Sequence, residues 1–199
     1  MTPNKRIYAI TGGIGCGKTA VSDILRELSY AVFSCDRIYA ELTQSGGALV
    51  AELERAFGCV TTPNGTLDRR ALSKRVFGDA AARKRLDSIT HPVIMRELLK
   101  RAGDAEGEIV FCEVPLLFEN GFESLFSGVI VVMRSLTERI NAVMARSGLN
   151  EKDVLARIQA QFDYSTIDLG SYYVIENNGD MDELRKKVKK ILQNITKLA

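Results

Sequence analysis

The stretch "ITGGIGCGKTA", residues 10–20, decides the fold of this chain. It places four glycines and a lysine directly after an apolar run, and Gly12, Gly17, Lys18 and Thr19 satisfy the pattern G-x-x-x-x-G-K-[ST]. This pattern binds phosphate when a strand leads into it and a helix follows it, and both are expected here. The stretch therefore predicts a phosphate-binding loop between the first strand and the first helix of an α/β domain.

The loop suits a nucleoside triphosphate for physical reasons. Small residues let successive main-chain N–H groups point at oxygens, and the following helix N-terminus adds further donors and a positive dipole end. We expect Lys18 to reach the β- and γ-phosphates, the Thr19 hydroxyl to ligate Mg²⁺ and the Ala20 N–H to face the α-phosphate. Cys16 is interpreted as a small loop filler, although a thiol near a helix N-terminus can also be reactive. The assigned nucleotide-binding residues are Gly13, Ile14, Gly15, Cys16, Gly17, Lys18, Thr19 and Ala20.

Composition bounds the class of protein. The 199 residues carry a formal net charge of +2, too near zero to argue for a nucleic-acid or membrane partner. The most apolar run, 128–133, is far shorter than the roughly 20 residues needed to span a bilayer. The four cysteines are widely spaced and form no C-x-x-C pair, which argues against a zinc site and a disulfide scaffold. We expect a cytoplasmic protein that is a monomer or a weak homo-oligomer.

Short apolar runs alternate with longer amphipathic stretches, which is typical of a parallel α/β sheet. The pattern predicts a three-layer phosphate-loop fold with a five-stranded parallel sheet. The predicted strands are 7–11, 31–35, 109–114, 129–133 and 172–176, and the predicted helices are 18–29, 36–57, 69–77, 79–102, 135–146, 150–163 and 181–198.

Two segments are too long to be simple crossovers, and we interpret them as helical insertions into one domain, 1–199. The core comprises about 1–36, 104–133 and 171–199. The first insertion, about 37–103, is predicted to bind substrate, and the second, about 134–170, to form a lid.

Asp36 is the candidate catalytic base. It follows the second strand directly, so it is expected at the same sheet edge as the phosphate loop. A carboxylate there can orient an attacking alcohol for phosphoryl transfer. The alternative is an N-cap for the next helix, and the two roles are compatible.

Glu113 and His91 each have two readings. Glu113 ends the third strand, where an acid can hold Mg²⁺ through water or pair with a nearby basic residue. Pro115 then ends the strand. His91, in "ITHPVI", can face substrate or orient a helix start before Pro92.

The lid segment carries Arg139, Arg146 and Arg157. An arginine folded over the transferring phosphoryl group supplies positive charge as negative charge moves. We assign this catalytic role to Arg139 and Arg146, and Lys18 is a further candidate catalytic residue. The alternative for each arginine is an exposed position on the surface.

The chain resembles the dephospho-coenzyme A kinase family in six stretches that follow the family's order and spacing along nearly the whole sequence. They are "TGGIGCGKT" at 11–19, "DRIYAEL" at 36–42, "LDRRALSKRVF" at 67–77, "LDSITHPVI" at 86–94, "VPLLFENG" at 114–121 and "VIENNG" at 174–179. The phosphate loop alone is generic, whereas its combination with "THPVI" and "VPLLFENG" is specific.

The resemblance implies transfer of the γ-phosphoryl group of ATP to the 3′-hydroxyl of the dephospho-coenzyme A ribose. It implies Asp36 as the base for that hydroxyl, and Lys18 and Thr19 as the residues that hold phosphate and magnesium. Glu113 is the second assigned metal-binding residue, from its position at the end of the third strand. It also implies that His91 and the "PLLFE" stretch form the acceptor pocket. The expected acceptor-binding residues are Thr11, Asp36, His91, Pro115, Leu116 and Leu117.

Some positions depart from the family's pattern. The family usually has an aspartate two residues before the base, where this chain has Ser34. It also usually has a lid arginine four residues before Arg146, where this chain has Ala142. Where the family has basic residues between the lid and the last strand, this chain has Ile167 and Asp168. Where the family has an aspartate at the start of the last strand, this chain has Tyr172. Arg139 lies one helical turn from Ala142 and can compensate for the lost charge.

Two other functions remain open at the level of sequence. The altered lid is compatible with a kinase for another small hydroxyl acceptor, such as a nucleoside or a sugar. The second open function is that of a nucleotide-binding regulator with little catalytic activity. A nucleic-acid motor fits least, because neither a basic stripe nor a second ATPase motif is present in the sequence.

Overall fold

The computed structural model describes residues 5–197, which form a five-stranded sheet and eight α-helices. Short 3-10 turns lie at Phe118–Asn120, Glu123–Leu125, Tyr164–Thr166 and Leu169–Ser171. The strands are β1 (Arg6–Thr11), β2 (Ala31–Ser34), β3 (Ile109–Glu113), β4 (Gly128–Met133) and β5 (Tyr173–Glu176). The helices are α1 (Lys18–Glu27), α2 (Cys35–Leu42), α3 (Ala48–Phe57), α4 (Arg69–Val76), α5 (Ala80–Asp104), α6 (Leu136–Ser147), α7 (Glu151–Gln159) and α8 (Met181–Lys197).

The sheet has the strand order β2-β3-β1-β4-β5. The central strand β1 pairs in parallel with β3 and β4, and β4 pairs in parallel with β5. All five residues of β3 are buried, as expected for a parallel sheet whose two faces are covered. Apolar side chains of α1 and α8, among them Ile24 and Leu184, pack with the strands in one core cluster. The predicted α/β fold with a five-stranded parallel sheet is confirmed.

The chain divides into two compact units. One comprises the chain up to Val32 and from Ala105 onward, and it contains the phosphate loop. The other, Phe33–Asp104, covers the segment that the sequence predicts as the substrate-binding insertion. Among residues 5–197, no helix is both long and apolar enough to cross a bilayer.

The second unit is helical, and ionic contacts join its helices. Arg101 of α5 pairs with Glu41 of α2 and with Glu97 on its own helix. At the start of α4, the Asp68 carboxylate accepts hydrogen bonds from two main-chain N–H groups, those of Arg70 (2.9 Å) and Ala71 (3.0 Å). This is the N-cap arrangement that stabilises a helix start.

The prediction of one helix over 36–57 is wrong, because α2 ends at Leu42 and α3 begins at Ala48. The hydroxyl of Thr43 donates to the carbonyl oxygen of Tyr39 over 2.8 Å, which occupies a helix-terminal acceptor. Gly46 then takes a left-handed conformation with φ +75°, which glycine adopts at little cost. These local interactions end the helix although the apolar periodicity continues beyond them.

The predicted helix 150–163 is also too long, because α7 ends at Gln159. Beyond it, the rings of Phe162 and Tyr164 meet edge to face with centroids 5.4 Å apart. Residues two apart on a helix do not face each other, so this contact requires a non-helical backbone. At the C-terminus α8 is described to Lys197, and Leu198 of the predicted helix lies outside the described residues.

Candidate functional site

The phosphate loop connects β1 to α1, as predicted. β1 ends at Thr11, and α1 begins at Lys18 with Gly17 as its N-cap. Because Gly17 has no side chain, it cannot accept hydrogen bonds from the first turn of α1. The first N–H groups of this helix are therefore free of a side-chain cap and can donate hydrogen bonds to an anion bound at the loop.

Three side chains from other parts of the first unit hold the main chain of the loop. The amide of Asn177 donates to the Cys16 carbonyl oxygen over 2.9 Å. Nε of Arg139 donates to the Ile14 carbonyl oxygen over 3.0 Å. In the opposite sense, the Ile14 N–H donates to Oε1 of Gln161 over 2.7 Å. The loop conformation is thus set by α6, by the segment after α7 and by the segment after β5.

Two loop glycines make room for these side chains. A Cβ on Gly13 would overlap the guanidinium of Arg139. A Cβ on Gly17 would overlap the side-chain amide of Asn177, and Gly17 also has φ +96°. At both positions a larger residue would displace a group that holds the loop.

Lys18 directs its charge into the loop. Its Nζ donates to the carbonyl oxygens of Gly12 (2.8 Å) and Gly13 (3.2 Å). Beside it, a cavity of about 400 Å³ has Gly13, Arg134, Arg139 and Tyr164 among its lining residues. The cavity thus brings two guanidinium groups next to the loop. Because Arg134 is paired with Glu138 (3.1 Å) and Asp163 also lines the cavity, Arg139 is the cation that favours an anionic ligand there.

Glu113 lies at the end of β3, next to the start of α1. Its carboxylate is 7% exposed and accepts hydrogen bonds from the hydroxyls of Thr19 (3.3 Å) and Ser22 (3.0 Å). A hydroxyl and a carboxylate supply the oxygen ligands that Mg²⁺ prefers, with water and substrate phosphates completing its shell. Residues 5–197 contain no cluster of three or more histidine, cysteine or acidic side chains that could hold a metal ion. The pair thus fits a magnesium ion shared with phosphates.

Tyr164 closes the buried side of the site. Its hydroxyl lies 3.5 Å from the Thr11 hydroxyl at the end of β1. Burial raises the pKa of the Tyr164 phenol to about 12, although the hydrogen bond with Thr11 acts in the opposite direction. The ring meets Phe118 edge to face, and Phe118 also stacks on Phe162 and contacts Tyr172. This aromatic cluster joins the "VPLLFENG" stretch to the predicted lid.

The predicted acceptor residues after β3 differ in exposure. Leu116 is 42% exposed and Pro115 is half-buried, whereas Leu117 is fully buried. Leu117 therefore packs in the core, and only its neighbours present surface to solvent. Their contact with an acceptor stays a prediction.

Asp36 and His91 lie in the second unit. Asp36 is exposed in the first turn of α2, whose N-cap is Ser34, so the alternative of Asp36 as an N-cap is wrong. His91 is within α5, with Nε2 3.6 Å from the Asp87 carboxylate. Because α5 runs from Ala80 through Pro92 without a break, His91 does not precede a helix start. Both residues remain predicted acceptor-binding groups.

The structure separates the two assigned lid arginines. Arg139 reaches the loop from α6, whereas Arg146 is exposed in the last turn of the same helix. Cys16 is 2% exposed and belongs to the core cluster, which agrees with its interpretation as a loop filler. A catalytic role for Arg146 stays a prediction.

Sequence reasoning missed four residues that build the site. Asn177 had a signal, since it lies in "VIENNG", but no role followed from the stretch. Gln161, Ser22 and Tyr164 had none, because a glutamine, a serine and a tyrosine are common on helices and turns. Their contacts join residues 91 to 161 positions apart, and no local pattern encodes such pairs.

Comparison with known proteins identifies the family. A family model for dephospho-CoA kinase matches residues 6–183. The chain belongs to the dephospho-CoA kinase family. A family member from Thermus thermophilus is 38% identical over 190 residues, covering 96% of this chain and 92% of the relative. Another from Nitrosospira multiformis is 38% identical over 195 residues, covering 97% and 98%. The earlier resemblance is thus confirmed, and the chain is a kinase.

A solved structure is also similar to this chain over nearly its whole length. A crystal structure from Thermus thermophilus matches with a TM-score of 0.83 at 37% identity, covering 96% of this chain and 98% of the other. This match shows that the two chains share their fold. The phosphate loop and the sheet order described above are therefore those of a kinase.

Proposed function

We propose that the protein transfers the γ-phosphoryl group of ATP to the 3′-hydroxyl of dephospho-CoA, with Mg²⁺ as the cofactor. Membership of the dephospho-CoA kinase family makes phosphorylation of dephospho-CoA its function. The observation that carries the proposed mechanism is the loop itself, where Lys18 and Arg139 lie against the main chain of a phosphate-binding motif.

Each charged group has a distinct proposed role. Lys18, whose Nζ donates to the Gly12 carbonyl oxygen of the loop, binds the terminal phosphates. Arg139 neutralises charge that moves between oxygens during transfer. Asp36, exposed at the start of α2, accepts the proton of the attacking hydroxyl and aligns it. The hydroxyl oxygen then bonds to the γ-phosphorus while the bond from that phosphorus to the bridging oxygen of ATP breaks, so ADP leaves with the electron pair and the hydroxyl proton goes to Asp36.

The metal would be held by Thr19 directly and by Glu113 through water. When bound, Mg²⁺ neutralises the β- and γ-phosphate oxygens. The chain's own contribution is to fix the ligands: the Glu113 carboxylate orients the Thr19 hydroxyl, and Ser22 fixes the other oxygen of the same carboxylate. Buried carboxylates satisfied by two hydroxyl donors are rigid, which favours a preorganised site.

The test is product formation with purified protein. ATP, Mg²⁺ and dephospho-CoA are incubated with the wild type and with Lys18→Ala, and 3′-phosphorylated product is separated by chromatography. We expect product from the wild type. The rate of product formation should fall at least about 100-fold in the variant, because the positive charge of Lys18 beside the terminal phosphates is lost. The matched control is Lys189→Ala, at an exposed lysine on α8. Equal product from wild type and Lys18→Ala would contradict the proposal.

A further inference from the structure

The side-chain oxygen of Gln161 is shared by two donors at the phosphate loop. It accepts the main-chain N–H of Ile14 at 2.7 Å and a terminal guanidinium nitrogen of Arg139 at 3.4 Å. Nε of Arg139 donates in turn to the Ile14 carbonyl oxygen at 3.0 Å. The three groups close a ring of hydrogen bonds that joins α6, the segment after α7 and the loop.

This ring solves a problem for a long cationic side chain. Holding an arginine in one conformation costs on the order of 2 kcal/mol of rotamer entropy, so the guanidinium needs more than one contact to stay at the loop. Gln161 supplies the second contact, and the absence of a Cβ on Gly13 leaves the space that the guanidinium occupies. Ala142 carries no charge, and Arg134, which lines the same cavity, is paired with Glu138. Arg139 is the guanidinium that hydrogen-bonds the loop at this point.

We propose that Gln161 is a positioning residue for phosphoryl transfer: its side-chain oxygen fixes the Arg139 guanidinium against the Ile14 peptide group. This inference rests on the proposed function and deepens it. Two N–H groups of Arg139 are used in the ring, and a guanidinium has five, so the others can donate to phosphate oxygens. Gln161 itself is half-buried and neutral, so it adds no charge that would repel a nucleotide.

The choice of a carboxamide follows from this arrangement. A carboxylate at position 161 would accept the same two hydrogen bonds more strongly, but it would place a negative charge beside the phosphates. A methionine would match the length of glutamine and accept neither bond well. The two substitutions therefore separate the positioning of Arg139 from the binding of nucleotide.

The experiment measures steady-state kinetics with ATP and dephospho-CoA for Gln161→Met, Gln161→Glu, Arg139→Met and the double variant Arg139→Met/Gln161→Met. For Gln161→Met we expect kcat to fall about 10- to 100-fold, the cost of a misplaced catalytic group, with the KM for dephospho-CoA unchanged. Gln161→Glu is expected to keep more of kcat and to raise the KM for ATP. The control is Gln193→Met on α8, whose side chain is exposed. Thermal unfolding of each variant is recorded in parallel.

The double variant decides between positioning and packing. If Gln161 acts through Arg139, adding Gln161→Met to Arg139→Met lowers kcat no further. Multiplicative losses, or a Gln161→Met enzyme with wild-type kcat, would overturn the inference. Should Gln161→Met not fold, Gln161→Asn, one methylene shorter, takes its place under the same criteria. A wild type that forms no product refutes the proposed function instead. In that case, binding of a non-hydrolysable ATP analogue is measured for each variant, to test whether Gln161→Glu alone weakens the affinity for nucleotide.

Discussion

The carboxylate of Glu113 and the hydroxyl of Thr19 lie 3.3 Å apart, so the last residue of β3 orients the second residue of α1. Ser22, one turn further along α1, donates to the other carboxylate oxygen over 3.0 Å. A strand end and a helix start are thereby joined where the metal is expected. The acid acts through the geometry of a neighbouring ligand, and it does not need to touch the metal directly to matter.

Replacing Glu113 should change the dependence of the rate on magnesium. For Glu113→Gln we expect the Mg²⁺ concentration at half-maximal rate to rise about 10- to 100-fold, the usual effect of losing a group that orients a metal ligand. Initial rates over a magnesium titration measure this shift. Glu108→Gln, at an exposed glutamate just before β3, is the control. An unchanged magnesium profile would remove Glu113 from the metal site.

Replacing Asp36 should separate catalysis from nucleotide binding. Asp36→Asn removes a proton acceptor, and we expect kcat to fall about 10²- to 10⁴-fold while affinity for ATP, measured by calorimetry, is retained. Asp182→Asn is a matched control, because Asp182 is also an exposed aspartate in the first turn of a helix. Both variants lose the same favourable interaction with a helix dipole. Similar kcat values for the two variants would refute the base role.

The two assigned lid arginines should differ in importance. Only Arg139 has a hydrogen bond to the loop in the described structure, whereas Arg146 is exposed at the end of α6. We therefore expect Arg139→Met to lower kcat by about 10²-fold or more, and by more than Arg146→Met does. Steady-state rates at saturating ATP give the ranking. A larger fall in kcat for Arg146→Met would mean that the arginine at the end of α6 contacts the transferred phosphoryl group.

Loss of the Asn177 side chain should destabilise the protein. Its amide is buried and donates to the Cys16 carbonyl oxygen, so Asn177→Ala leaves a buried acceptor unsatisfied at a cost of about 1–3 kcal/mol. Urea denaturation reports the free energy of unfolding. Asn194→Ala, at an exposed asparagine on α8, is expected to cost less than about 0.5 kcal/mol. Equal stabilities for the two variants would show that the loop does not need this tether.

Tyr164 should make stability depend on alkaline pH. Burial raises the pKa of its phenol from 10.0 to about 12, so the folded state holds the proton more tightly than the unfolded chain. The resulting stabilisation is complete below about pH 10 and is lost as the pH rises toward 12. From about pH 9 to about pH 11, the unfolding free energy of the wild type should fall about 1 kcal/mol further than that of Tyr164→Phe. Parallel curves would contradict a shifted phenol.

The sequence predicts the parts of this protein that local patterns encode. The loop motif and the apolar runs predict α1 and the five strands, because strand periodicity and the glycine-lysine pattern are properties of neighbouring residues. The break between α2 and α3 is also local, since it depends on a hydrogen bond from Thr43 to a residue four positions earlier and on the Gly46 conformation. It was missed because the apolar periodicity continues across it and predicts one helix. Gln161 and Asn177 were missed because their partners are far away in the chain. Tertiary contacts of this kind carry no local signature.

The glycines of the loop have a second consequence. Gly13 and Gly17 are kept small by the side chains of Arg139 and Asn177 as well as by any phosphate. In a descendant of this chain that had stopped using nucleotides, enlarging Gly17 would still strain a backbone at φ +96° and displace the Asn177 amide, and enlarging Gly13 would displace the end of the Arg139 side chain. Persistence of the motif in a diverged relative would then record inherited architecture, and only the lysine, the hydroxyl and the acids around it would report whether the chemistry survives.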